Sequence, residues 1–163
     1  MTVTDELLAN ANRYAEAFDQ GALPMPPAKR VAVLACMDAR LNVYGLLGLS
    51  EGDAHVIRNA GGVVTGDEIR SLAISQRLLG TTEIVLIHHT DCGMLTFGDE
   101  EFRAQIQAET GIKPEWPAEA FDDLDADVRQ SIARIEASPF IPHKESIRGF
   151  VYDVHTGGLR EVR

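Results

Sequence analysis

The apolar positions of this chain follow two rhythms. Three short stretches are apolar almost without a break: Val31-Ala32-Val33-Leu34-Ala35, Ala54-His55-Val56-Ile57 and Glu83-Ile84-Val85-Leu86-Ile87. Runs of that length, rich in β-branched residues, predict strands covered on both faces, as in a parallel sheet. Between the second and third runs the spacing becomes helical. Ile69, Leu72, Ala73, Gln76 and Leu79 follow Thr65 and Glu68, whose hydroxyl and carboxylate can satisfy each other's free amides. Gly80 stands where a helix-ending glycine belongs. Strand, helix and strand in that order predict a right-handed parallel crossover.

Two further helices are predicted over 99–110, stopped by Gly111, and over 122–137, with Leu124, Val128, Ile132 and Ile135 on one face. Pro114 and Pro117 mark the loop between them. Residues 146–154 read as a late strand, which Thr156-Gly157-Gly158 turns into a short final strand over 159–162. At the other end, 5–18 read as an amphipathic helix capped by Thr4, with Leu7, Ala11, Tyr14 and Phe18 on one face. Pro24, Pro26 and Pro27 stop it and make a stiff, extended linker. Such a linker favours reach, so residues 1–27 read as an arm that packs on a partner subunit rather than back on its own domain. The chain is then one domain, 1–163, of the α/β class. Its mostly parallel central β-sheet is flanked by helices, with an N-terminal helical arm and a C-terminal hairpin.

Composition narrows the function classes. With 163 residues, 45% of them hydrophobic, the chain has ordinary globular make-up. Its 25 acidic and 15 basic side chains give a net charge of −10, so it lacks the basic footprint of a nucleic-acid binder. Val31 to Met37, its longest unbroken apolar run, is far too short to span a membrane. The first residues lack the basic start and apolar core of a signal peptide. Two cysteines do not make a disulfide scaffold. The expectation is a cytoplasmic protein with reduced thiols.

Those two cysteines carry the chemistry. Cys36 ends the first apolar run, Cys92 follows the third, and His89 precedes Cys92 by three positions. Ligands of open parallel sheets gather at the carboxyl ends of strands, so Cys36, His89 and Cys92 can converge. Two thiolates and an imidazole suit Zn²⁺, and three protein ligands leave a fourth position for water or substrate. Taken singly, each cysteine could equally be a small buried hydrophobe. Asp38 lies two residues from Cys36 and two from Arg40, so all three can face one pocket. There Asp38 either ligates the metal or accepts a hydrogen bond from its water, while the planar fork of Arg40 can hold the carboxylate off the metal. Arg58-Asn59-Ala60-Gly61-Gly62 closes the second strand. Its paired glycines either permit a tight turn or let backbone amides approach a small ligand.

Cys36-Met37-Asp38-Ala39-Arg40, Arg58-Asn59-Ala60-Gly61-Gly62 and His89-Thr90-Asp91-Cys92-Gly93-Met94, in this order and spacing, resemble the β-class carbonic anhydrases. The short length resembles their compact bacterial and archaeal subclass. The resemblance implies zinc held by Cys36, His89 and Cys92, and an Asp38–Arg40 dyad in which Asp38 becomes a fourth ligand in a closed state. It implies a homodimer or higher homo-oligomer, with active sites near the interface and the N-terminal helix embracing the neighbour. The activity it implies is that of a lyase: reversible hydration of carbon dioxide to bicarbonate and a proton by zinc-bound hydroxide.

The ligand set limits how that hydroxide can form. Two thiolates cancel the charge of Zn²⁺, whereas a three-histidine site keeps it and brings bound water to a pKa of about 7. A neutral centre acidifies water less and needs help from its surroundings, which Asp38 is placed to give. The chain also departs from plant-like members, which orient carbon dioxide with a glutamine upstream of the first cysteine. Here that segment is Leu23-Pro24-Met25-Pro26-Pro27. Substrate binding then falls to apolar contacts and to a backbone amide near Gly61 or Gly62. Arg40 and Arg58 bear more on bicarbonate than net charge does. His55, His88, His143 and His155 read as structural or surface residues, with His88 on the strand face opposite His89. Two alternatives stand beside this reading. One is a carbon disulfide hydrolase on the same scaffold. The other is a non-catalytic, zinc-dependent bicarbonate-sensing module, against which the intact Asp38–Arg40 pair argues.

Overall fold

The most apolar run in the chain forms an interior strand of the sheet. In the computed structural model, which describes residues 1–163, β1 (Val31–Cys36) pairs in parallel with β2 (Ala54–Asn59) and with β3 (Glu83–His89). β3 pairs in parallel with β4 (Ile147–Tyr152), and β5 (Leu159–Val162) folds back antiparallel on β4. The strand order is β2-β1-β3-β4-β5. A strand covered on both faces needs apolar residues at successive positions. Ala32 to Cys36 are accordingly all buried.

Helices α3 (Gly66–Arg77) and α5 (Leu124–Ala137) cover one face, where Leu72 and Ile135 meet Ala32, Leu34, Ile84 and Leu86. The opposite face holds Val33, Ala35 and Ile87, packed with Leu41, Val43 and Met94. Its cover is a short helix, α2 (Val43–Leu47), and loops. α5 presses onto β4 at Gly149, where a Cβ would lie 2.3 Å from Val128 Cγ1, so only glycine admits the helix there. α4 (Asp99–Thr110) ends at a left-handed Gly111 and buries no residue.

Several boundaries differ from the sequence expectation, each for a local reason. The first helix, α1 (Val3–Glu16), is capped by Thr2 and not Thr4. Thr2 has an aspartate three residues on, and the Thr2 and Asp5 side chains cap each other's backbone amides. α5 starts at Leu124 because the Asp123 carboxylate accepts from the Ala126 amide. β4 stops at Tyr152 because Asp153 turns the chain, its carboxylate accepting from the amides of His155 and Thr156. The five-residue α2 was not expected; Asn42 caps it and a left-handed Gly48 ends it.

α1 stands apart from the core. None of its residues is buried, and within residues 1–30 only Pro27 is. The Tyr14 hydroxyl donates to the Glu51 carboxylate, and Leu23 packs over Gly52. Leu7, Leu8, Tyr14 and Phe18 remain at least half exposed.

Candidate metal centre

β1 and β3 are neighbours in parallel and end side by side, so the residues at their carboxyl ends meet. Cys36 is the last residue of β1, His89 the last of β3, and Cys92 sits in the turn that follows. The ligand atoms of all three lie within 4.8 Å of one another, and all three residues are buried. His89 Nδ1 is 2.7 Å from the Thr90 carbonyl oxygen. A carbonyl only accepts, so Nδ1 carries the hydrogen. That leaves Nε2 facing the sulfurs, 3.2 Å from Cys36 Sγ. Two thiols and an imidazole, buried together with the ring fixed by a backbone carbonyl, fit a tetrahedral zinc ion.

The electrostatics of the cluster favour a thiolate. Cys36 is lowered to about 4, chiefly because the Cys92 thiol donates to it; burial opposes this, and the His89 ring and the Asp38 and Gly61 amides add to it. Cys92 moves the opposite way, since its proton bridges to the Cys36 sulfur and burial also disfavours its charge. For His89, burial lowers the pKa, but the hydrogen bonds to Cys36 and to the Thr90 carbonyl outweigh it and the net shift is upward.

Asp38 stands beside the cluster, its Oδ2 3.6 Å from His89 Nε2. Arg40 grips both its oxygens, Nε donating to Oδ1 at 3.0 Å and Nη2 to Oδ2 at 2.8 Å. That guanidinium holds the Asp38 carboxyl well below the usual carboxylate range, against the opposing effect of burial. Arg40 has a second anchor, which the sequence reading missed. Its Nη1 donates to the Asp91 carboxylate at 2.8 Å and its Nη2 to the Asp91 carbonyl at 2.9 Å.

Arg58 takes a different place from the one foreseen. Its guanidinium donates to the Cys36 carbonyl at 3.0 and 2.8 Å and to the Asp38 carbonyl at 2.8 Å. It clamps the backbone around Asp38 and does not face a ligand. The two glycines also separate. Gly61 lines the site, and its amide serves the Cys36 sulfur. Gly62 lies beneath, at φ +69°, where a Cβ would meet the Cys36 nitrogen and the Ile87 oxygen at 3.0 Å. It is a packing glycine that lets the loop cross the ends of β1 and β3.

The cluster opens onto a cleft of about 380 Å³, walled by Met37, Ala60, Gly61, Met94 and Phe97. Sequence reasoning gave no role to Met37, Met94 or Phe97; their position shortly after the two cysteines was the available signal. No histidine besides His89 lines this cleft. His55 Nδ1 meets the Ser75 hydroxyl at 2.7 Å, and His88 Nε2 meets the Asp127 carboxylate at 2.6 Å on the far face of the sheet. His143 and His155 are exposed.

Known proteins resemble this chain over its whole length. A family model described as carbonic anhydrase matches residues 31–122. The chain is 64% identical over 162 residues to beta-carbonic anhydrase 1 of Mycobacterium tuberculosis, with 99% of each chain covered. It is 36% identical over 162 residues to the carbon disulfide hydrolase of Saccharolobus solfataricus, covering 84% of this chain and 79% of that one. Among solved structures, a carbonic anhydrase from Streptococcus mutans superposes with a TM-score of 0.93 at 44% identity, covering 100% of this chain and 99% of the other.

Proposed function

The chain belongs to the β-carbonic anhydrase family, and from that premise we propose that it catalyses the reversible hydration of carbon dioxide to bicarbonate and a proton, with zinc as its cofactor. The observation that supports this most is the buried Cys36, His89 and Cys92 cluster at the base of an apolar cleft, with a carboxylate beside it. In this reading those three residues hold the zinc ion. When bound, zinc acts as a Lewis acid that makes the attacking water a nucleophile near neutral pH.

The other residues divide the remaining work. Asp38 accepts a hydrogen bond from the attacking water and turns its lone pair toward carbon. Arg40 holds the Asp38 carboxylate in that attitude; were the contact to break, Asp38 would be free to serve as a further metal ligand and exclude water. Arg58 fixes the Cys36 and Asp38 backbone. Met37, Ala60, Met94 and Phe97 offer apolar walls to a linear, uncharged substrate, and Gly61 offers a wall without bulk. Gly62 acts on substrate binding through Gly61, by setting how closely the loop approaches.

Carbon disulfide is linear and apolar too, but the relative bearing that activity is at 36% identity against 64% for the carbonic anhydrase. The test is stopped-flow hydration of carbon dioxide over roughly pH 6 to 9, the range in which a water-derived nucleophile titrates. Zinc is measured on the same sample, with carbon disulfide turnover run in parallel. The proposal expects carbon dioxide turnover with one zinc per chain. Fully loaded protein that is inactive throughout the range would sink it and favour a binding module.

The same reading makes the chain a cytoplasmic homodimer or larger homo-oligomer, with residues 1–27 laid over a neighbour. No helix is long and apolar enough to cross a membrane. The arm supports assembly because Leu7, Leu8, Tyr14 and Phe18 keep half or more of their surface exposed within the chain. Burying each such side chain contributes about 1.5–3 kcal/mol. Light scattering on the full chain should give a dimer or multiple of it, and removal of residues 1–20 should shift the population to smaller species. A full chain that is monomeric at micromolar concentration would refute this role for the arm.

A further inference from the structure

Arg40 is held from two sides. Asp38 takes Nε and Nη2, while Asp91 takes Nη1 through its carboxylate at 2.8 Å and Nη2 through its carbonyl at 2.9 Å. Asp91 belongs to the turn between His89 and Cys92, so it ties the Arg40 loop after β1 to the loop after β3. Its backbone makes this possible. Asp91 has φ +53°, a left-handed conformation that side chains seldom adopt and glycine adopts freely. A residue kept there despite the strain has its carbonyl and its carboxylate aimed at the same guanidinium.

The Asp38–Arg40 contact needs such support. The Arg40 side chain is 44% and that of Asp91 65% exposed, so neither ion pair alone holds the guanidinium firmly; the Asp38 fork, the Asp91 carboxylate and the Asp91 carbonyl do so together. Anchored at its far edge, the guanidinium is pre-organised and presents a fixed fork to Asp38. Without the anchor Arg40 can swing into water. Asp38, with Oδ2 only 3.6 Å from His89 Nε2, is then free to turn toward the metal ligands.

We propose that Asp91 is a positioning residue for carbon dioxide hydration: it anchors Arg40 and thereby keeps Asp38 turned away from the metal position. This rests on the function proposed above. The test compares wild type, Asp91→Asn, Asp91→Gly, Arg40→Ala and the Asp91→Gly/Arg40→Ala double variant, each in zinc and cobalt(II) forms. Glycine fits the left-handed backbone, so folding is not at risk, and asparagine keeps a neutral acceptor. Losing one partly exposed charged contact should lower kcat about threefold in Asp91→Asn and about fivefold in Asp91→Gly, with KM and metal content unchanged.

The cobalt(II) visible absorption should move in the same order, toward carboxylate ligation. On the Arg40→Ala background, Asp91→Gly should change neither readout further. Wild-type kcat and spectrum in both single variants would overturn the proposal. So would an equal loss on the Arg40→Ala background, since Asp91 would then act by another route. If wild type itself lacks hydration activity, the functional reading fails, while the cobalt spectra still decide the place of Asp91.

Discussion

Asp38→Ala is expected to lower kcat for carbon dioxide hydration about 100-fold and to leave zinc at one per chain, a loss typical of a residue that touches the reacting group from beside the metal. The two halves of that result have separate causes. Zinc stays because the ligand atoms come from Cys36, His89 and Cys92, while the Asp38 carboxylate is engaged with Arg40. Turnover should fall because two thiolates would neutralise a bound zinc ion, so the attacking water would rely on an acceptor close by, which Asp38 supplies. Alanine offers none and leaves Arg40 to Asp91 alone. Asp38→Asn keeps an acceptor oxygen and should fall less. Stopped-flow rates and metal analysis on the same preparations check both halves. A loss under about threefold would remove Asp38 from the reaction.

Cys92→Ser should go the other way and lose the metal. A serine hydroxyl keeps its proton near neutral pH and is a poor zinc ligand where a cysteine binds as thiolate. One of the three ligands is lost, and the remaining two hold the ion weakly. Zinc affinity should fall by at least about 100-fold, more than removal of an outer-sphere partner costs. Atomic absorption after dialysis should find the variant empty where wild type is full. The stability that binding lends the fold disappears with it, about 4 kcal/mol where free zinc is a thousandfold above Kd. Wild-type and variant melting curves should thus differ with zinc and converge after chelation. Full occupancy of the serine variant would refute the ligand set.

The strands were readable because burial on both faces leaves little choice of residue. Val31 to Ala35 and Ile84 to Ile87 could hardly be anything but central strands, and the polar or sulfur-bearing residues that end them mark the site. Helix ends were less readable. Thr2 and Thr4 are both fit to cap, and apolar spacing favours Thr4; the aspartate three residues after Thr2 decides the outcome through a purely local bond. α2 is too short for any period to show.

What sequence hid most is the use of polar groups on backbone. Arg58 reads as a charge available to an anion, yet its partners are carbonyls, which every residue possesses and no pattern reveals. Gly62 reads either as a turn glycine or as one that lets an amide approach a ligand, and the sequence does not reveal the β1 and β3 backbone that it also clears. Asp91 was in plain view within the His89–Cys92 motif. Only the pairing of two strands distant in sequence brings Arg40 to it.

The depth of the three ligand residues has a kinetic meaning. Cys36 is 4%, His89 0% and Cys92 2% exposed, and two of them end adjacent central strands. Parting Cys36 from His89 takes separation of the strands they end, an event that belongs to the slow, near-global fluctuations of a fold. Cys92 lies in the turn beyond, where the cleft opens. An ion held there would therefore come and go through the cleft while two of its three ligand residues stay in place. The emptied site should remain formed and refill without refolding.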